Sequence, residues 1–188
     1  MGVQSNRLRG YFAVGAERIS KPLNLGNLMR SAHAFGASFV FTVAAHHKIS
    51  AQASTISKSD TSKTFDHIPY YIWSDLSQMV LPERCELVGV ELTEVSRDLP
   101  SFRHPFRAAY VLGSERGSLS DEMMARCDHI VKIPTAFCIN VATAGAIVMY
   151  DRVRMLGHFA PPPVTPGGEV EALPMHIHGI PENLTARR

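Results

Sequence analysis

Thiols are scarce in this 188-residue chain: Cys85, Cys127 and Cys138 are the only three. An odd number without CxxC spacing argues against a disulfide framework and against a zinc knuckle, and leads us to expect buried thiols. No run of 18 or more apolar residues occurs, and the opening MGVQSNRLRG has no apolar stretch behind its charges. Neither a membrane span nor a signal peptide is read, and a cytoplasmic location is expected. Net charge is also small, +2, which by itself does not announce nucleic-acid binding. GxxxxGK[ST], a GxGxxG after the first strand, HExxH and GxSxG are all absent. NTP hydrolysis, ordinary dinucleotide binding, zinc proteolysis and serine-hydrolase chemistry therefore lack their usual residues. His176 and His178 have no third ligand beside them, and no metal is expected.

What is present is a folding composition, 45% hydrophobic and 19% charged, enough to bury a substantial core. The length fits one domain, read as 1–157, followed by a Pro/Gly-rich tail, 158–188, whose APPPVTPGG denies it a regular helix. The charge is uneven. Residues 1–63 hold eight Lys/Arg against two Asp/Glu, and the remainder eleven against fifteen, so +6 is followed by −4. Arg7, Arg9, Arg18, Lys21 and Arg30 make an anion-facing surface one reading of this, with plain solvated faces as the other.

Apolar runs predict strands at Tyr11 to Val14, Phe39 to Val43, Glu86 to Val90, Ala109 to Leu112 and Ile130 to Ile133. Between them, Leu25, Leu28, Met29, Ala32 and Phe35 recur at helical spacing, with Asn24 where an N-cap would sit and Gly36 as a stop. Ser120, followed by Asp121 and Glu122, starts a second helix. Asn140 caps a third, with Val141, Ala144, Gly145, Val148, Met155 and Leu156 on one face. Strands alternating with helices require crossovers, so the fold class is α/β with a mainly parallel sheet and flanking helices. Residues 46–66, rich in Ser, Thr and Lys, read as a polar loop. Gly113 and Gly117 in LGSERG follow the fourth strand, where ligands meet α/β sheets, although a tight turn explains both glycines equally well.

Three segments in order carry more. KPLNLGNLMRSAHAFGAS (21–38), YVLGSERGSLSDEMMARCD (110–128) and VKIPTAFCINVATAGAIVMYDRVR (131–154) resemble motifs one to three of the SpoU/TrmH branch of SPOUT RNA methyltransferases. The resemblance covers roughly residues 10–157. It implies a SPOUT-type domain with a C-terminal deep trefoil knot, working as a homodimer. It also implies S-adenosylmethionine as cofactor, and 2'-O-ribose methylation of RNA without a metal. A knot is something general topology rules would not have suggested. The IxKPxNLG opening and the lack of appendages favour tRNA over rRNA as substrate. The alternatives are a catalytically weak or inactive RNA-binding dimer of the same fold, and a related activity on a base nitrogen.

By the same resemblance the candidate catalytic residues are Arg30, Asn24, Glu115 and Asn140, and those around the cofactor are Val90, Leu112, Gly113, Ile133, Cys138 and Val141. Helix arithmetic puts Arg30, with Asn27, opposite the apolar stripe, facing outward. Its guanidinium is a poor base, so its expected work is to clamp the adjacent phosphate and stabilise the developing alkoxide. Cys138 stands where the family usually has serine, which weakens any side-chain hydrogen bond there and leaves a backbone contact intact.

Overall fold

Seven strands form one sheet in a computed structural model that describes residues 10–47, 49, 67–114 and 117–157. They are β1 (Tyr11–Glu17), β2 (Phe39–Val43), β3 (Tyr70–Trp73), β4 (Glu86–Val90), β5 (Arg97–Asp98), β6 (Arg107–Leu112) and β7 (His129–Lys132). Their order is β3-β2-β1-β6-β4-β7-β5, and every pairing is parallel. The central strands are near-continuous apolar runs, YFAVGAE and RAAYVL, as burial on both faces demands. One face packs through Val14, Val88, Tyr110 and Leu112 against helices α1 (Pro22–Phe35) and α3 (Val141–Leu156). The other packs Phe41, Leu87 and Val111 against Leu119 and Met123, the latter on α2 (Asp121–Arg126).

Helix ends show where local signals were read well and where they were not. Gly36 stops α1 in the left-handed conformation at φ 76°, which glycine enters without steric cost. Ser120 Oγ accepts from Met123 N at 3.1 Å, and Asn140 caps α3. Asn24, however, is not the cap of α1. That position is Lys21, with Pro22 at the first helical residue, where a fixed φ and a missing N–H cost nothing. Asn24 sits inside the first turn, buried, and its side chain serves the site described below.

The expected face of α3 also ends early. Val141, Ala144, Gly145 and Val148 are buried as expected, and the face continues through Met149 and Arg152, but Met155 is exposed. Arg152 donates to the carbonyls of Tyr11, Pro105 and Phe106, at the N-terminal ends of β1 and β6. Past that edge no strand of the described residues remains for α3 to cover. Beside it lies a buried polar chain: Arg152 donates to the Tyr110 hydroxyl, which is 2.6 Å from His104 Nδ1, and His104 Nε2 meets Asp151 Oδ2 at 3.1 Å. Burial lowers the His104 pKa, against the opposing pull of Asp151, and pushes Tyr110 up to about 12.

Strands β3 and β5 were not anticipated; β3 is a short edge strand with Tyr71 and Ile72 exposed, and β5 has two residues. The expectation of three buried thiols is corrected for Cys138, which is exposed, while Cys85 and Cys127 are half-buried. Most of the polar segment 46–66 and all of the expected tail, 158–188, lie outside the described residues. Among the described residues no helix is long and apolar enough to cross a membrane.

Candidate active site

Because all strands run parallel, their C-terminal ends and the loops that leave them gather on one edge. The loops after β4, β6 and β7, together with the first turns of α1 and α3, enclose a cavity of about 550 Å³ there. Open α/β sheets place ligand sites at this edge. Val90, Leu112, Gly113, Ile133, Cys138 and Val141, the six residues expected around a cofactor, all line the cavity, and so do Asn24 and Asn140.

The walls are wired to one another. Asn140 Oδ1 accepts from Ala142 N (2.9 Å) and Thr143 N (3.4 Å), and its Nδ2 donates to Asn24 Oδ1 (3.0 Å). The helix cap thereby sets which way the Asn140 amide points. Glu91, at the end of β4, accepts from Leu119 N at 2.8 Å. Buried Glu17, at the end of β1, accepts from Ser120 N (2.8 Å) and Ser120 Oγ (2.6 Å). Two carboxylates so hold two consecutive residues of the segment that closes the β6 loop. Thr135 Oγ1 donates to the carbonyl of Phe137 at 2.9 Å, folding the β7 loop onto itself.

Gly113 makes the approach of this backbone possible. A Cβ there would lie 3.0 Å from the Gly117 carbonyl oxygen and 3.1 Å from Leu119 N, both backbone atoms that cannot swing aside. The polar side chains on the described lining are Lys21, Asn24, Glu91, Ser114, Ser118, Thr135 and Asn140, and apolar side chains, glycines and Cys138 make up the rest. A slot that combines apolar walls with as many polar groups suits a nucleoside-sized ligand in both volume and chemistry.

Arg30 does not line the cavity. It is exposed on α1, six residues beyond Asn24 and so about 9 Å further along the helix axis, with Asn27 exposed beside it. Glu115 lies outside the described residues. Sequence reasoning missed Glu91, whose signal was an acidic residue directly after a wholly apolar strand end. It also missed Lys21 as a lining residue.

A parallel, open α/β domain with its cavity at the C-terminal strand edge is thus the class of protein defined by fold and site. The chain belongs to the SpoU rRNA methylase family, which matches residues 11–150. It is 32% identical over 157 residues to TARBP1 of Mus musculus, a tRNA (guanosine(18)-2'-O)-methyltransferase, covering 79% of this chain and 10% of that protein. It is 26% identical over 143 residues to YacO of Bacillus subtilis, assigned to the TrmH family of tRNA/rRNA methyltransferases, covering 73% of this chain and 56% of that one. The chain therefore spans about a tenth of the first relative and little over half of the second. Among solved structures, an AdoMet-bound rRNA methyltransferase from Sinorhizobium meliloti superposes with a TM-score of 0.68 at 24% identity, covering 79% of this chain and 58% of the other.

Proposed function

We propose that this protein transfers a methyl group from S-adenosylmethionine to a ribose 2'-oxygen of RNA, with tRNA as the substrate. The observation that carries the reading is the cavity at the C-terminal sheet edge, lined by all six expected cofactor residues and by both motif asparagines. Family membership and the 32% identity to a tRNA ribose methyltransferase support it.

The cofactor supplies an electrophilic methyl on a positively charged sulfur. Its transfer to the ribose oxygen would leave the neutral thioether S-adenosylhomocysteine, with the hydroxyl proton passing to solvent water. Val90, Leu112, Ile133 and Val141 supply the apolar walls that keep water from the methyl, and Gly113 lets backbone groups approach. Asn24 and Asn140 are braced against each other, so neither must reorganise when substrate arrives. Arg30, outside the cavity and exposed, takes the role of meeting RNA rather than cofactor in this reading. Its fixed donor fork suits a phosphate and the developing alkoxide. Positioning of the two reactants supplies much of the acceleration.

The reading extends to the knot and the homodimer of the family. Convergence of the β6 and β7 loops on one cavity is in keeping with the knot. Leu23 on α1 and Tyr150 on α3, 57% and 59% exposed, offer apolar surface to a second copy.

Incubation with radiolabelled S-adenosylmethionine and total cellular RNA, followed by nucleotide mapping, tests the proposal. Label on a tRNA ribose is expected, and Arg30→Ala should lose about 10²- to 10³-fold of the rate while still binding cofactor. Label in neither tRNA nor rRNA would sink the enzyme.

A further inference from the structure

We infer that Glu91 accepts the ribose hydroxyls of the cofactor, an assignment that rests on the cavity being the cofactor site proposed above. Glu91 contributes the only carboxylate among the described residues of the lining. It is held in place from two sides: Oε1 accepts from Leu92 N at 2.9 Å and Oε2 from Leu119 N at 2.8 Å. A carboxylate oxygen carries two acceptor positions, so each keeps a second one after these bonds. Two fixed acceptors on one planar group match the two O–H donors of a vicinal diol.

Within a nucleoside sulfonium the competing partners for a carboxylate are the charged sulfur and the ammonium group. Placement favours the ribose. Asn24 lies in the first turn of α1, Asn140 caps α3 and Arg30 lies on α1, so the end of the cavity where RNA meets the methyl is the end beside these helices. Glu91 leaves β4, which is separated from β1 by β6 in the order β1-β6-β4, two strand spacings of about 4.8 Å each. That offset sets Glu91 apart from the strand that leads into α1 and Arg30. A carboxylate at a strand's C-terminal edge is also the usual solution to ribose recognition in dinucleotide-binding sheets.

The test is titration calorimetry with S-adenosylhomocysteine and with its 2',3'-dideoxyribose analogue, on the wild type, Glu91→Gln and Glu91→Ala. Hydrogen bonds to a charged acceptor make the wild type about 10- to 100-fold tighter for the hydroxylated ligand. Both variants should bind S-adenosylhomocysteine more weakly, with the preference over the analogue reduced to less than about threefold for Ala. If the variants weaken both ligands by the same factor, Glu91 merely holds Leu119, and the inference fails while the cofactor site stands. If the wild type does not bind S-adenosylhomocysteine at all, the cavity reading itself fails and takes this assignment with it. Thermal melts of the ligand-free variants report whether the Leu119 tie has been lost.

Discussion

The side-chain amide of Asn140 donates to the side-chain carbonyl of Asn24 across 3.0 Å, joining the N-terminal ends of two helices through residues 116 positions apart. Because Asn140 Oδ1 is already committed to the amides of Ala142 and Thr143, only its nitrogen can face Asn24. Asn140→Asp keeps the cap, since aspartate caps as well as asparagine, but replaces the donor with an acceptor opposite Asn24 Oδ1. We expect the aspartate variant to melt near the wild type and to methylate RNA at least tenfold more slowly. Asn140→Ala should in addition lose about 1 kcal/mol of stability with the cap. Thermal melts beside initial rates separate the two effects, and a fully active aspartate variant would reduce the pair to a helix tie.

Cysteine chemistry gives a second expectation. The thiolate is the nucleophile, and burial pushes the Cys127 thiol up to about 12 and raises that of Cys85 as well. Cys138 is exposed and lines the cavity. Iodoacetamide should label Cys138 first, and S-adenosylhomocysteine should slow that labelling alone. Peptide mass spectrometry reads both outcomes; labelling of Cys127 ahead of Cys138 would contradict the burial.

Stability should fall in mild acid because of His104. Burial lowers its pKa from the ordinary 6.5, so below pH 6.5 the unfolded chain takes up a proton that the folded chain refuses until lower pH. The stabilisation is complete above 6.5 and is lost as pH falls through the lowered folded value. Melting temperatures measured from pH 7.5 downward should therefore decline, and His104→Gln should flatten the decline. An unchanged slope in that variant would point to another group.

Gly113→Ala tests the close backbone approach. The added methyl meets the Gly117 carbonyl and Leu119 N, which must retreat by a few tenths of an ångström. The cost should appear in cofactor affinity, with calorimetry showing at least a severalfold loss and the fold retained by circular dichroism. Wild-type affinity would mean that the β6 loop yields freely.

Much of the sheet was legible because the central strands are apolar on both faces. Phe39 to Val43 and Glu86 to Val90 needed nothing beyond composition to be placed. β3 and β5 were not, because Tyr71, Ile72 and Arg97 face outward and carry no burial pattern. The cap of α1 was misplaced for a related reason. Asn24 has a capping side chain, but Pro22 two residues earlier is as good a start, and only tertiary contact with Asn140 shows what Asn24 is for. Individual cofactor residues came from motif resemblance. The carboxylate ties of Glu17 to Ser120 and of Glu91 to Leu119 span 103 and 28 residues, and no local pattern announces a partner at such a distance.

The wholly parallel sheet also governs when the site comes into being. β1 pairs with β2 on one side and with β6 on the other, so its second neighbour arrives only after most of the described chain has been made. Parallel pairings of this kind close long loops before any contact offsets the lost entropy, and they form slowly. The cavity's walls come from β4, β6, β7, α1 and α3, and no contiguous fragment short of residue 140 contains both asparagines. A nascent chain that ends before residue 140 thus lacks one side of the cavity, and the complete cofactor pocket arises only once both ends of the described chain have been made.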